Sequence, residues 1–233
     1  MEQNLKKFSG YVRAILFIGF LSLLMNCKDD KPLLFEPCKD QLLGIYSETA
    51  PDRIIPDVDS FIGIINGPKE NPGIISGFVD DNIEKIEGGI SKRATVTVNG
   101  SQGQWAGWFV QWGIRETPET VNRDMSAFEG GMLTFWVKTT VNLEVGIRSA
   151  NVVAGTERSK VYLNNYPPFT PNGVWQKVSI PLSHFTGSPP KADLKQIKIL
   201  FVVASNTPSG GTDGKPATFW IDDIRWEKIC PKQ

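Results

Sequence analysis

An all-β fold, a β-sandwich or jelly roll, is predicted by three features of this sequence. Short apolar segments recur along it, and Gly and Pro, 22 and 16 of 233 residues, punctuate them. Beyond the amino terminus no segment of useful length carries a helical period. The clearest segment is the last, residues 217–226, whose aromatic and β-branched residues suit a half-buried pleated surface. It also carries two adjacent carboxylates, Asp222 and Asp223, that such a surface normally excludes. In an unbroken strand Phe219, Ile221 and Asp223 share one face and Trp220 and Asp222 the other. At least one carboxylate therefore requires a strand end, a cation or a hydrogen-bonding loop.

From the amino terminus, Lys6, Lys7 and Arg13 precede an apolar run over residues 14–25, followed by Asn26 and Cys27. This is the pattern of a secretory signal, too short and too soon followed by charge for a membrane span. Residues 23–27 resemble a bacterial lipobox, with Asn26 where a small Gly or Ala is usual. The resemblance implies lipidation of Cys27 and a place in the bacterial cell envelope, at the outer membrane, facing the periplasm or the outside. The expected organisation is a signal peptide over 1–26, a lipidated tether over 27–40 and a single β-sandwich domain over 41–230. With 25 basic and 25 acidic residues, the chain has no general electrostatic drive toward nucleic acid. Cys38 and Cys230, 192 positions apart, are expected to pair in an oxidising compartment; in the chain-entropy model this stabilises by at most about 5 kcal/mol.

The strand candidates follow in order. Residues 41–47 form a short one, and 61–65 and 73–79 are separated by the turn signal Asn66-Gly67-Pro68. Residues 94–98 alternate well and end at Asn99-Gly100; with 105–112 just beyond, the pair reads as a hairpin with a longer loop. Residues 114–126 read as loop. In 132–138 and 142–148 the alternation puts Leu133, Phe135, Val137, Leu143, Val145 and Ile147 on apolar faces, with Trp136 and Arg148 on the opposite ones. A short strand at 160–163 leads to the proline-rich loop 164–173. Residues 175–182 form the next strand, and 197–204, nearly all apolar, suit a central strand covered on both faces. The glycine-rich loop 208–216 precedes the closing strand.

From about Glu87 to Trp226 the order of these segments resembles the galactose-binding-like jelly rolls found among carbohydrate-binding modules. The pieces that carry the resemblance are Glu87-Gly-Gly-Ile-Ser, Gly107-Trp-Phe-Val-Gln-Trp112, Leu133-Thr-Phe-Trp-Val-Lys138, Trp175-Gln-Lys-Val-Ser-Ile-Pro-Leu182 with Phe185, and Phe219-Trp-Ile-Asp-Asp-Ile224. The resemblance implies a non-catalytic sandwich that binds a glycan on a sheet face or at loop tips. It also implies a structural Ca²⁺, whose positions fall on Glu48 and on Asp222 or Asp223. Calcium would neutralise carboxylates packed beside apolar strands. Pairing with Lys228, Arg225 or backbone amides would do so equally.

A sugar site needs flat aromatic faces and planar polar groups. Trp105, Trp108, Trp112 and Trp136 offer the faces, and Gln111, Arg148 and Asn151 the polar groups, with Trp136 and Arg148 foremost because each lies opposite the apolar face of its strand. Trp175 and Trp226 are assigned to structure. Catalysis has little support: His184 is the one histidine, which excludes multi-histidine metal centres, and no nucleophile triad stands at motif spacing. Two other functions compete with glycan binding. A surface adhesin or assembly component binding a protein partner would show an exposed apolar patch without a sugar-sized cleft. A glycan-degrading enzyme would need two suitably separated carboxylates across a groove.

Overall fold

Alternating apolar residues and Gly/Pro turns produce eleven strands among the residues that the computed structural model describes, which are 40–54, 59–113, 121–150, 159–186, 191–206 and 211–230. They are β1 (Gln41–Tyr46), β2 (Ser60–Gly67), β3 (Ile74–Asp81), β4 (Ser91–Thr97), β5 (Trp105–Trp112), β6 (Met132–Thr139), β7 (Glu144–Ser149), β8 (Ser159–Tyr162), β9 (Gln176–Pro181), β10 (Ile197–Asn206) and β11 (Ala217–Lys228). A one-turn helix, α1 (Ser183–Thr186), follows β9 and buries Phe185. All pairings between these strands are antiparallel, in two sheets. The first has the order β3-β4-β11-β6-β9, with β1 also on β11; the second has β2-β5-β10-β7-β8. This is the expected β-sandwich.

β11 is the spine of the first sheet. Along one edge Ala217 to Ile221 pair with β4 and Ile224 to Lys228 with β1, while β6 runs along the other edge. The strand is not unbroken. A bulge between Asp222 and Arg225 puts Asp223 at φ 48°, a left-handed backbone that Asp tolerates better than most residues. The extra residue shifts the inward parity, so that Phe219 and Ile221 before the bulge and Ile224 and Trp226 after it all reach the core. Asp223 therefore does not share a face with Ile221 as an unbroken strand requires.

The core lies between the sheets. Leu133, Phe135 and Val137 from β6 share one core cluster with Val145 and Ile147 from β7, all fully buried, and Phe135 packs edge-on to Phe201 at 5.3 Å between centroids. The expected 94–112 hairpin does not form. β4 pairs with β3 and β11 in the first sheet, whereas β5 pairs with β2 and β10 in the second. The link between them is a 3₁₀ turn capped by Asn99, whose side chain accepts from Ser101 N, and it carries the chain from one layer to the other. Residues that bear on the amino-terminal expectations, Cys27 and Cys38 among them, lie outside the described residues.

Trp226 fastens the layers to each other. Its indole is fully buried, stands edge-on to Phe128, and donates through Nε1 to the Leu200 carbonyl of the opposite sheet at 3.1 Å. Trp226→Ala removes this area and leaves that carbonyl short of a donor. A loss of about 3–5 kcal/mol is expected in chemical denaturation, and a smaller one from Trp226→Phe, which keeps most of the buried ring but still lacks the donor to Leu200.

Candidate functional site

The pleat of β5 sorts its aromatic residues. Ala106, Trp108, Val110 and Trp112 point into the core, so Trp105, Gly107, Phe109 and Gln111 lie on the outer face of the second sheet. Register then aligns side chains across this face. Phe61, Gln111, Ile199 and Arg148 form one row over β2, β5, β10 and β7. Gly63, Phe109, Val202, Gly146 and Lys160 form the next, followed by Ile65, Gly107, Ala204, Glu144 and Tyr162. Gly67, Trp105 and Asn206 close the pattern.

Glycine at two places on β2 gives this face its shape. A Cβ at Gly63 would lie 2.6 Å from Cζ of Phe109, and one at Gly67 would overlap the Trp105 indole. Both rings thus lean over bare backbone of the edge strand. Phe61 stands edge-on to Phe109 at 5.6 Å between centroids. The result is an aromatic margin along β2 beside a floor of Gly107, Ala204 and Gly146. Opposite it sit polar groups. Glu144, 1% exposed, is ion-paired to Lys160 at 3.2 Å and accepts a hydrogen bond from Asn206 Nδ2.

The expected ligand residues separate into three places. Trp105, Gln111 and Arg148 come together on this outer face. Trp108 and Trp112, 0% and 2% exposed, are core residues with no surface for a ligand. Trp108 packs among Tyr46, Phe78 and Phe201, and the Arg123 guanidinium covers Trp112 at 4.2 Å. Trp136 faces outward from the first sheet, paired with Asp222 and Lys177, so it shares no surface with Arg148 of the second. Asn151 lies outside the described residues. Phe61 and Phe109 were missed, although the period of two that buries Trp108 and Trp112 also turns Phe109 outward.

The acidic set is satisfied locally. Asp222, 2% exposed, accepts from the backbone N–H groups of Ile86 at 2.7 Å, Glu87 at 3.0 Å and Asp223 at 2.7 Å. Burial pushes its carboxyl up, and these N–H donors oppose the shift. Asp223 accepts from Arg225 Nε, and the same guanidinium reaches Glu87 at 2.9 Å. Burial and the nearby Asp223 charge push the Glu87 carboxyl up. Glu48 accepts from Gly89 N. Glu48 and Asp222 line one cleft of about 310 Å³ beside Tyr46 and Arg53, but Asp223 is turned to its arginine. No group of three or more Asp, Glu, His or Cys side chains suited to a metal is assembled among the described residues. In this arrangement backbone amides meet the charge of Asp222 and Arg225 that of Asp223, while Glu48 and Asp222 remain side by side in the cleft.

Comparison with known proteins agrees with this architecture. No curated protein sequence matches the chain. A crystal structure of a family 30 carbohydrate-binding module superposes with a TM-score of 0.55 at 20% identity, covering 82% of this chain and 99% of that one. The family 30 module of the cellulosomal cellulase Cel9D-Cel44B of Clostridium thermocellum does so with a TM-score of 0.54 at 20% identity, over 80% and 96% of the two chains. The model of the family described as carbohydrate binding domain 30 matches residues 76–228, which run from β3 to the end of β11 and make up well over half of the sequence. The chain is a member of the carbohydrate binding domain 30 family.

Proposed function

We infer that the outer face of the second sheet is a non-catalytic glycan-binding surface, and that the chain carries it in the bacterial cell envelope on a lipid attached to Cys27. One observation carries the first part: Trp105 and Phe109 lean over Gly67 and Gly63 as a margin beside a small-residue floor. Partly exposed rings of this kind suit the C–H faces of sugars, and the planar amide of Gln111 suits their hydroxyls. Membership of the carbohydrate-binding family supports the same ligand class. The non-catalytic reading rests on the carboxylate inventory. Glycoside hydrolysis uses two carboxyl groups flanking the bond, whereas the carboxylate that the rows bring to this face, Glu144, is buried and neutralised by Lys160.

The anchor rests on the signal architecture of residues 1–27. Several acyl chains on one cysteine would hold the module to a membrane far more firmly than a single chain does. The pairing of Cys38 with Cys230 gains support from Asp40, two positions after Cys38, whose carboxylate accepts from the Cys230 N–H at 2.7 Å.

Three outcomes are expected. On a glycan array probed with the full chain in detergent, Trp105→Ala and Phe109→Ala should each weaken binding about tenfold or more, equivalent to about 1.4 kcal/mol. Trp136→Ala, on the opposite side of the sandwich, should bind like the parent; the reverse order would move the site to the first sheet. A chelator tests the calcium expectation: with amides and Arg225 meeting the charges of the acidic pair, the melting temperature and the array profile should stay unchanged, and a drop in either would show a bound cation at Glu48 and Asp222. The intact mass of membrane-derived protein should correspond to a chain beginning at acylated Cys27 and should rise by two hydrogen atoms on reduction; an unmodified amino terminus or two free thiols would refute the corresponding part.

A further inference from the structure

Two polar side chains in one row of the proposed face, Gln111 and Arg148, lack partners among the described residues. Gln111 is 8% exposed, yet its side-chain amide makes no hydrogen bond among the described residues. Two strands away, Arg148 has neither a side-chain hydrogen bond nor an ion pair among those residues. Its Nε is shielded from solvent and unsatisfied. Glu144, the acid further along the same strand, is already held by Lys160 and Asn206, so it does not compensate the guanidinium. A half-buried arginine whose charge meets no carboxylate among the described residues is costly unless something else supplies the counter-charge.

We propose that Arg148 reads a carboxylate, and that the glycan taken by this face is an acidic one containing uronic acid. The inference rests on the glycan-binding reading above. With Nε closed off, the guanidinium offers a ligand its two Nη groups, whose parallel N–H donors form a fork matched by the two oxygens of a planar carboxylate. A neutral hydroxyl satisfies one of those donors and leaves the charge uncompensated. Ile199 lies between Gln111 and Arg148 in the row and offers an apolar seat for a sugar ring. Adjacent strands lie about 4.8 Å apart, so the two polar groups are separated by roughly 10 Å. A pair of linked pyranose units spans that gap, with the acid group on Arg148, hydroxyls on Gln111, and Phe61 closing the far end.

The test uses matched ligands: uronic-acid oligosaccharides and the same oligosaccharides after chemical reduction of the carboxyl groups to alcohols, titrated calorimetrically into the full chain in detergent. The acidic member of each pair should bind about tenfold or more tightly at low salt, and the ratio should shrink as salt is raised. Arg148→Gln should bring the acid-to-neutral ratio to about one. Arg148→Lys, which keeps the charge but loses the fork, should fall between the two. Neutral members bound as well as or better than acidic ones would overturn the acidic-glycan assignment and leave the glycan-binding face intact. Binding of neither member, across the panel, would overturn both. An acidic preference that survives Arg148→Gln would remove Arg148 from the role.

Discussion

The bulge in β11 is the constraint on which much of this molecule depends. Without the extra residue between Asp222 and Arg225, strand alternation would send either Phe219 and Ile221 or Ile224 and Trp226 away from the core. The bulge lets both pairs face inward on a single strand that joins β4, β1 and β6. It also turns Asp222, Asp223 and Arg225 toward the segments that cover the strand. Asp222 then holds the backbone at Ile86 and Glu87, and Arg225 bridges Asp223 to Glu87. A strained φ at Asp223 is tolerated because its side chain and those of its neighbours are bonded on several sides.

This arrangement changes the meaning of the acidic pair. Two carboxylates in an apolar strand suggest a cation, because burying unpaired charge is expensive. The protein meets that cost with N–H groups delivered by a loop more than a hundred residues earlier in the chain. These N–H bonds favour the ionised form against the burial that pushes the carboxyl up. The same network fastens the segment between β3 and β4; Asp81 at the end of β3 holds Trp220 at 3.0 Å, and Glu84 in that segment holds Lys138 at 2.7 Å. The outer face of the first sheet is thereby engaged by the protein itself, whereas the second sheet presents its rings and its glycine floor outward.

Small residues matter on that second face as much as aromatic ones. Gly63 and Gly67 are ordinary edge-strand glycines in the sequence, and nothing about them suggests a role until β2 is laid against β5. Pairing then brings Gly63 opposite Phe109 and Gly67 opposite Trp105, and each ring takes the space a Cβ would have filled. An aromatic ring held over backbone loses little further freedom when a ligand arrives, which favours binding through preorganisation.

By itself the sequence determined the all-β class, the positions of most strands and the inward faces of β6 and β7, because period-two burial is written locally in residues such as Leu133, Phe135, Val145 and Ile147. It also determined that aromatic and amide groups crowd β5. Only the tertiary structure decided which of them share a surface. Trp136 and Arg148 are both opposite the apolar faces of their strands, yet one strand lies in each sheet, so facing away from the core sends them to opposite sides of the sandwich. The crossover at Asn99 separates β4 from β5 for the same reason: a turn read locally reverses the chain but does not say into which layer. The bulge at Asp223 and the distant amides on Asp222 depend on partners far apart in sequence, and such long-range satisfaction of backbone and charge is what local pattern does not encode.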